Sequence, residues 1–154
     1  MAAAMVRGIQ SNNVGASVKH FACNNKETNR KHSDSRVSER ALREIYLKAF
    51  EIIVKEAEPY TIMSSYNAIN GQRASENRDL LTGILRDEWG YKGMVTSDWW
   101  TRGEHYKEIK AGNDLKMACG FPDRVKKAME MGAITRADIE PCAKRILSTI
   151  LKFD

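Results

Sequence analysis

The chain has 154 residues, of which 42% are hydrophobic and 29% charged, and its formal net charge is +5. That is the size and balance of one globular domain, and no apolar run is long enough to span a bilayer. Its basic residues are mixed with acids, as in KETNRKHSDSRVSERALRE, and form no clustered stripe, which argues against a nucleic-acid partner.

The opening MAAAMVRGIQ lacks the apolar core of a signal peptide, and Arg7 interrupts it early. Cys23, Cys119 and Cys142 are odd in number and contain no CxxC pair. This pattern is neither a disulfide framework nor a zinc site, and implies reduced thiols in a cytoplasmic setting.

Taken in chain order, a β-then-α rhythm runs through the sequence. GASVKHFA (15–22) reads as a strand, followed by the polar loop NNKETNRKHSDSR. From Ser38, a plausible N-cap, Leu42, Ile45, Tyr46, Ala49, Phe50, Ile53 and Ala57 recur at helical steps until Pro59. YTIMSSYN (60–67) is the second strand, and INGQ (69–72) supplies turn residues. Asn77 caps a helix with Leu80, Leu81, Ile84 and Leu85 on one face, ended by Gly90. GMVTSD (93–98) is the third strand, and a weaker helix follows from Thr101, with Glu104 completing a capping box. NDLKMA (113–118) is the fourth strand. Two more helices run from Pro122 to Met131 and from Thr135 to Leu151, the last with Ile139, Cys142, Ala143, Ile146, Leu147, Ile150 and Leu151 on one face.

Strands separated by helices imply an α/β fold of βαβ units with a parallel sheet. Four units fill the chain, whereas a complete eight-unit barrel needs about 250 residues. The expectation is a partial (β/α)8 TIM barrel. Its open sheet would leave two unpaired edges, a liability that self-association or a complementary chain would cover.

In such a barrel, chemistry sits where strands end and loops begin. The strand ends read Lys19-His20, Ser65-Tyr66-Asn67, Asp98-Trp99 and Met117. A cation, an imidazole, a phenol and a carboxylate around one mouth, with an indole beside them, suit a polyhydroxylated ligand, since sugar hydroxyls take charged hydrogen-bond partners and sugar C–H faces pack on indole. From spacing alone, Asp98 reads equally as the cap of the next helix. Met63 is balanced between core and ligand contact. Arg30 also fits a solvated loop, Glu27 a structural loop partner and Glu51 an exposed helix residue. His32 and His105 read as solvent-facing.

KHFACNNKETNR, VSERALREIYLKAFE, MSSYNAINGQRASEN, LLTGILRDEWGYKGMVTSDWW and AGNDLKM together resemble glycoside hydrolase family 3, and their wording is closer to its β-glucosidase branch. The resemblance covers nearly the whole chain. It implies a single partial barrel domain over 1–154 and hydrolysis of O-glycosidic bonds by double displacement, with no metal and no organic cofactor. It makes Asp98 the nucleophile and places Lys19, His20, Arg30, Met63, Tyr66 and Trp99 around the sugar in the cleaved subsite. Nearby Lys and Arg charges would keep the nucleophile ionised. A retaining glycosidase also needs a second carboxyl group about 5–5.5 Å from the first. The resemblance puts that acid/base in a later domain, and a first barrel half is likewise absent from the sequence. The chain therefore reads as a fragment of a retaining β-glycosidase acting on β-glycosides or oligosaccharides. The competing reading is a non-catalytic sugar-binding or assembly module that needs a partner chain.

Overall fold

In the computed structural model, which describes residues 1–153, helix α1 (Ala2–Gln10) precedes strand β1 (Ser17–Phe21). Strand β2 (Asp34–Ser35) leads into a helical stretch built from α2 (Glu39–Ala41), a wide π-type turn (Leu42–Tyr46) and α3 (Lys48–Ala57). Strand β3 (Thr61–Ser64) is followed by the short strands β4 (Ala68–Ile69) and β5 (Gln72–Arg73) and a 3-10 turn (Ala74–Glu76). A wide-turned helix (Asp79–Glu88) then delivers β6 (Met94–Ser97). Three further helices, α4 (His105–Ala111), α5 (Pro122–Glu130) and α6 (Arg136–Ile150), complete the order.

The main sheet is parallel, ordered β1-β3-β6. Val18, Ile62 and Val95 lie side by side in its register and pack into the core against the helices. Because side chains alternate along a strand, Lys19, Met63 and Thr96, the next row, point to the opposite face. The two-faced parallel sheet expected from the β-then-α rhythm is therefore present, and its helix-free side is open.

The fourth expected strand survives only as a single parallel bridge between Thr96 and Leu115. The amide of Ser97 donates to the Leu115 carbonyl at 2.8 Å, and those of Asp114 and Leu115 donate to the Val95 carbonyl. Beyond these bonds, side chains hold the segment. The Asp114 carboxylate accepts from the Val95 amide at 2.8 Å, from Arg86 at 2.8 Å and from Arg145 at 2.7 Å. One buried acid thus ties the end of the sheet to the Asp79–Glu88 helix and to α6.

Each helix repeats the sequence pattern with local differences. Ser38 caps α2 by accepting from the Ala41 amide, and Asn77 accepts from the Leu80 amide at 3.0 Å. Leu80, Leu81, Ile84 and Leu85 are all buried. In the preceding helical stretch, Ile45 is 68% exposed while Leu47 is fully buried. The cause is the wide turn, in which Leu47 donates five residues back to Leu42, so that the residue five positions after Leu42, and not Tyr46 at four, meets the core. Thr101 and Glu104 do not form the expected capping box, and α4 begins only at His105. Thr135 and Asp138 do form one on α6. That helix buries Cys142 but leaves Leu147, Ile150 and Leu151 exposed, so its expected apolar face is only partly covered. Helix α1 was not evident in the sequence; Ala3 and Val6 pack it against Ile53 and Ala57 of α3. No described helix is long and apolar enough to cross a membrane.

The Asp114 clamp yields a stability prediction. Asp114→Ala takes the carboxylate partner from two partly buried guanidinium groups and the acceptor from the Val95 amide, and should cost about 3–5 kcal/mol in urea unfolding. A loss below about 1 kcal/mol would show that the clamp contributes little.

Candidate active site

Asp98 stands one residue beyond β6, and its amide donates to the Ser64 carbonyl at 3.2 Å. This bond continues the β3–β6 ladder past the end of the strand and leaves the carboxylate at the C-terminal rim, 7% exposed. Across the rim, the His20 Nε2 atom lies 3.7 Å from Asp98 Oδ2. When protonated, His20 would form an ion pair with the acid; when neutral, it still offers a polar face to a shared ligand.

Tyr66 follows β3 on the same rim. The Ser65 amide donates to the Phe21 carbonyl and the Ser65 hydroxyl to the Ala22 carbonyl, both at 2.7 Å, which locks the chain just before it. The phenol donates to the Trp99 carbonyl. Burial, and then the negative charge of Asp98, raise its pKa above the usual phenol value, while the Arg30 cation acts in the opposite sense. Tyr66 is therefore held as a neutral donor beside the carboxylate.

Arg30 lies 4.9 Å and Lys31 4.8 Å from the centre of the Tyr66 ring. The loop that carries these cations is held by a second, smaller sheet in which β2 pairs with β4 and β4 with β5. Asn70 and Gly71 make the tight turn between β4 and β5, both with positive φ. The Asn70 side chain accepts from the Val37 amide and donates to the Val37 carbonyl, fastening the end of the loop. Two-residue strands carry no periodicity, so this sheet was not legible in the sequence.

Of the residues expected at the site, His20, Arg30, Tyr66, Asp98 and Trp99 are joined by these contacts. Trp99 is 40% exposed and packs edge-on against Trp100, with ring centres 5.5 Å apart. Lys19 and Met63 share the open face of the sheet in register, but among the described residues the Lys19 ammonium makes no ion pair. Glu27 bonds Asn24 and Arg30, both at 2.9 Å, as a loop partner would. Glu51 is held on α3 between Lys48 and Lys55 and is only partly exposed. His32 is exposed, whereas His105 is half-buried and accepts from the Phe121 amide, contrary to the solvent-facing expectation. Burial lowers its pKa below the usual imidazole value. Burial likewise pushes the Cys23 and Cys142 thiols up to about 11, so neither is a thiolate nucleophile at neutral pH. Among the described residues, no group of three or more His, Cys, Asp or Glu side chains could hold a metal ion. Lys31 was missed by sequence reasoning; its only signal was adjacency to Arg30.

Comparison with known proteins adds an independent line. The model of the glycosyl hydrolase family 3 N-terminal domain matches residues 1–149. The chain is 66% identical over 139 residues to β-glucosidase A of Butyrivibrio fibrisolvens, covering 90% of this chain and 17% of that protein. It is 47% identical over 149 residues to an exo-α-(1→6)-L-arabinopyranosidase of Bifidobacterium longum, covering 96% of this chain and 20% of that one. β-Glucosidase 3B from Thermotoga neapolitana, solved in complex with α-D-glucose, superposes with a TM-score of 0.94 at 41% identity, covering 98% of this chain and 22% of that structure. The chain thus spans about a fifth of the length of these relatives. Sequence, fold and family model agree: the chain belongs to glycosyl hydrolase family 3, through its N-terminal domain.

Proposed function

We propose that this chain is the nucleophile-bearing part of a retaining β-glycosidase, with β-glucosides as the substrate class. The observation that carries this reading is the Asp98 carboxylate, nearly buried at the rim and facing His20 at 3.7 Å. In the first step, a carboxylate oxygen of Asp98 bonds to the anomeric carbon while the glycosidic C–O bond breaks. Water then displaces the carboxylate, so the anomeric configuration is retained.

The surrounding side chains suit that chemistry. His20, Arg30 and Tyr66 offer hydrogen bonds to sugar hydroxyls, and Lys19 and Met63 would line the open face next to them. The Trp99 indole gives an apolar plane for the sugar ring. A departing alkoxide needs a proton, and Glu27 and Glu51 suit that role poorly. Glu27 is tied to Arg30 and Asn24, and Glu51 belongs to the outer helix layer. In this reading the acid/base comes from a later domain or a complementary chain, and the strands of the first barrel half would cover the open edge of β1. A module that binds sugar without reacting is the alternative, and the same experiment separates the two.

A 2-deoxy-2-fluoro-β-glucoside with a dinitrophenolate leaving group departs without a proton donor, so it tests the nucleophile alone. Incubation followed by peptide mapping should place the added sugar on the peptide containing Asp98, and Asp98→Asn should abolish labelling. His20→Ala should slow labelling about ten- to hundredfold. Sugar on a peptide lacking Asp98 would overturn the assignment; saturable glucose binding without any labelling would favour the binding module.

A further inference from the structure

The loop after Asp98 has an unusual backbone. Trp99 and Trp100 both adopt positive φ, 35° and 54°, a region that bulky L-residues avoid. Such a turn persists only where its surroundings hold it. Two anchors hold it from the sides: the Tyr66 phenol donates to the Trp99 carbonyl, and the Trp100 amide donates to the Met117 carbonyl at 2.9 Å.

A third anchor lies beneath the loop. Glu108 of α4 and Lys116 form an ion pair at 2.6 Å, with side chains 0% and 2% exposed. Every polar atom of this pair is used. One Glu108 oxygen accepts from Ser75 at 2.9 Å and from the Thr101 hydroxyl at 2.7 Å, and the other accepts from Lys116. The Lys116 ammonium donates also to the Thr101 hydroxyl at 2.7 Å and to the Gly103 carbonyl at 3.1 Å. The Thr101 hydroxyl therefore bridges the pair, donating to the Glu108 carboxylate and accepting from the Lys116 ammonium. Gly103 is packed so closely on the carboxylate that a Cβ there would meet Glu108 Oε1 at 2.5 Å.

Buried ion pairs seldom stabilise a fold more than apolar residues of similar size, because desolvation offsets the Coulomb attraction. What this one does is join four segments: the Ala74–Glu76 turn, the loop after Asp98, α4 and the segment leading to Met117. We propose that the Glu108–Lys116 pair, read out through the Thr101 hydroxyl, is a positioning device that fixes the Trp99–Gly103 loop and thereby aims Asp98 across the rim at His20. The catalytic part of this statement rests on Asp98 being the nucleophile; the anchoring part does not.

Glu108→Gln or Lys116→Met would strand a buried charge and could simply unfold the chain, so the test uses Thr101. Thr101→Val removes the bridging hydroxyl without changing charge or shape, and Thr101→Ser keeps the hydroxyl. Amide hydrogen exchange on the whole chain should show residues 99–103 exchanging about tenfold faster or more in Thr101→Val, with β1, β3 and β6 unchanged. Labelling by the activated fluoroglucoside should lose about tenfold in its maximal rate, with the half-saturating concentration changed less than about threefold. Thr101→Ser should restore both quantities to within about threefold of the parent. Exchange and labelling like the parent in Thr101→Val would overturn the proposal, as would a serine variant no better than valine. Faster loop exchange in a chain whose parent never labels would support the anchor and remove the nucleophile reading instead.

Discussion

The bonds that β3 makes on both of its edges position everything else in the molecule. Its register with β1 and β6 sets Val18, Ile62 and Val95 in one row against the helices, and this buried row fixes which residues leave at the strand ends. A shift of one residue would send the row to the open side and carry Asp98 away from the rim. The contact of the Asp98 amide with the Ser64 carbonyl is the last rung of that ladder. The placement of the carboxylate is thus a consequence of core packing several residues earlier.

The strands alone do not complete the site. Arg30 and Lys31 come from a long polar loop that would be free to wander without the small β2-β4-β5 sheet. Through that sheet, an Asn-Gly turn on the exposed side decides where two cations sit relative to the Tyr66 ring. The ring in turn holds the Trp99 carbonyl, next to the nucleophile candidate. Rigid strands set the acid, and a stapled loop sets the groups around it, a division suited to gripping a ligand that carries many hydroxyls.

Much of this was legible in the residues. The β-branched runs at VTSD and YTIM carried the parallel strands because buried strands need continuous apolar or small residues, and the Leu80–Leu85 face carried its helix. Where reading failed, the reasons were physical. The wide turn at Leu42–Tyr46 inserts a residue, so a strict helical period names Tyr46, four positions after Leu42, where the core uses Leu47. Helix α1 meets the core through only Ala3 and Val6, too few apolar residues for a pattern. The fourth strand shrank to one bridge because Asp114, a poor strand former, is held by two arginines. The Glu108–Lys116 pair carried no motif, since the pair and its partners come from four separate segments.

Placement of the sugar depends on the direction in which the Asp98 carboxylate points. A crystal structure of the chain after reaction with the fluorinated glucoside would address it most directly. The account predicts density joining the sugar C1 to an Asp98 oxygen, with His20, Arg30 and Tyr66 around the ring and the loop after Asp98 in its left-handed turn. An Asp98 side chain turned away from His20 and Tyr66, with the sugar absent or bonded elsewhere, would contradict it.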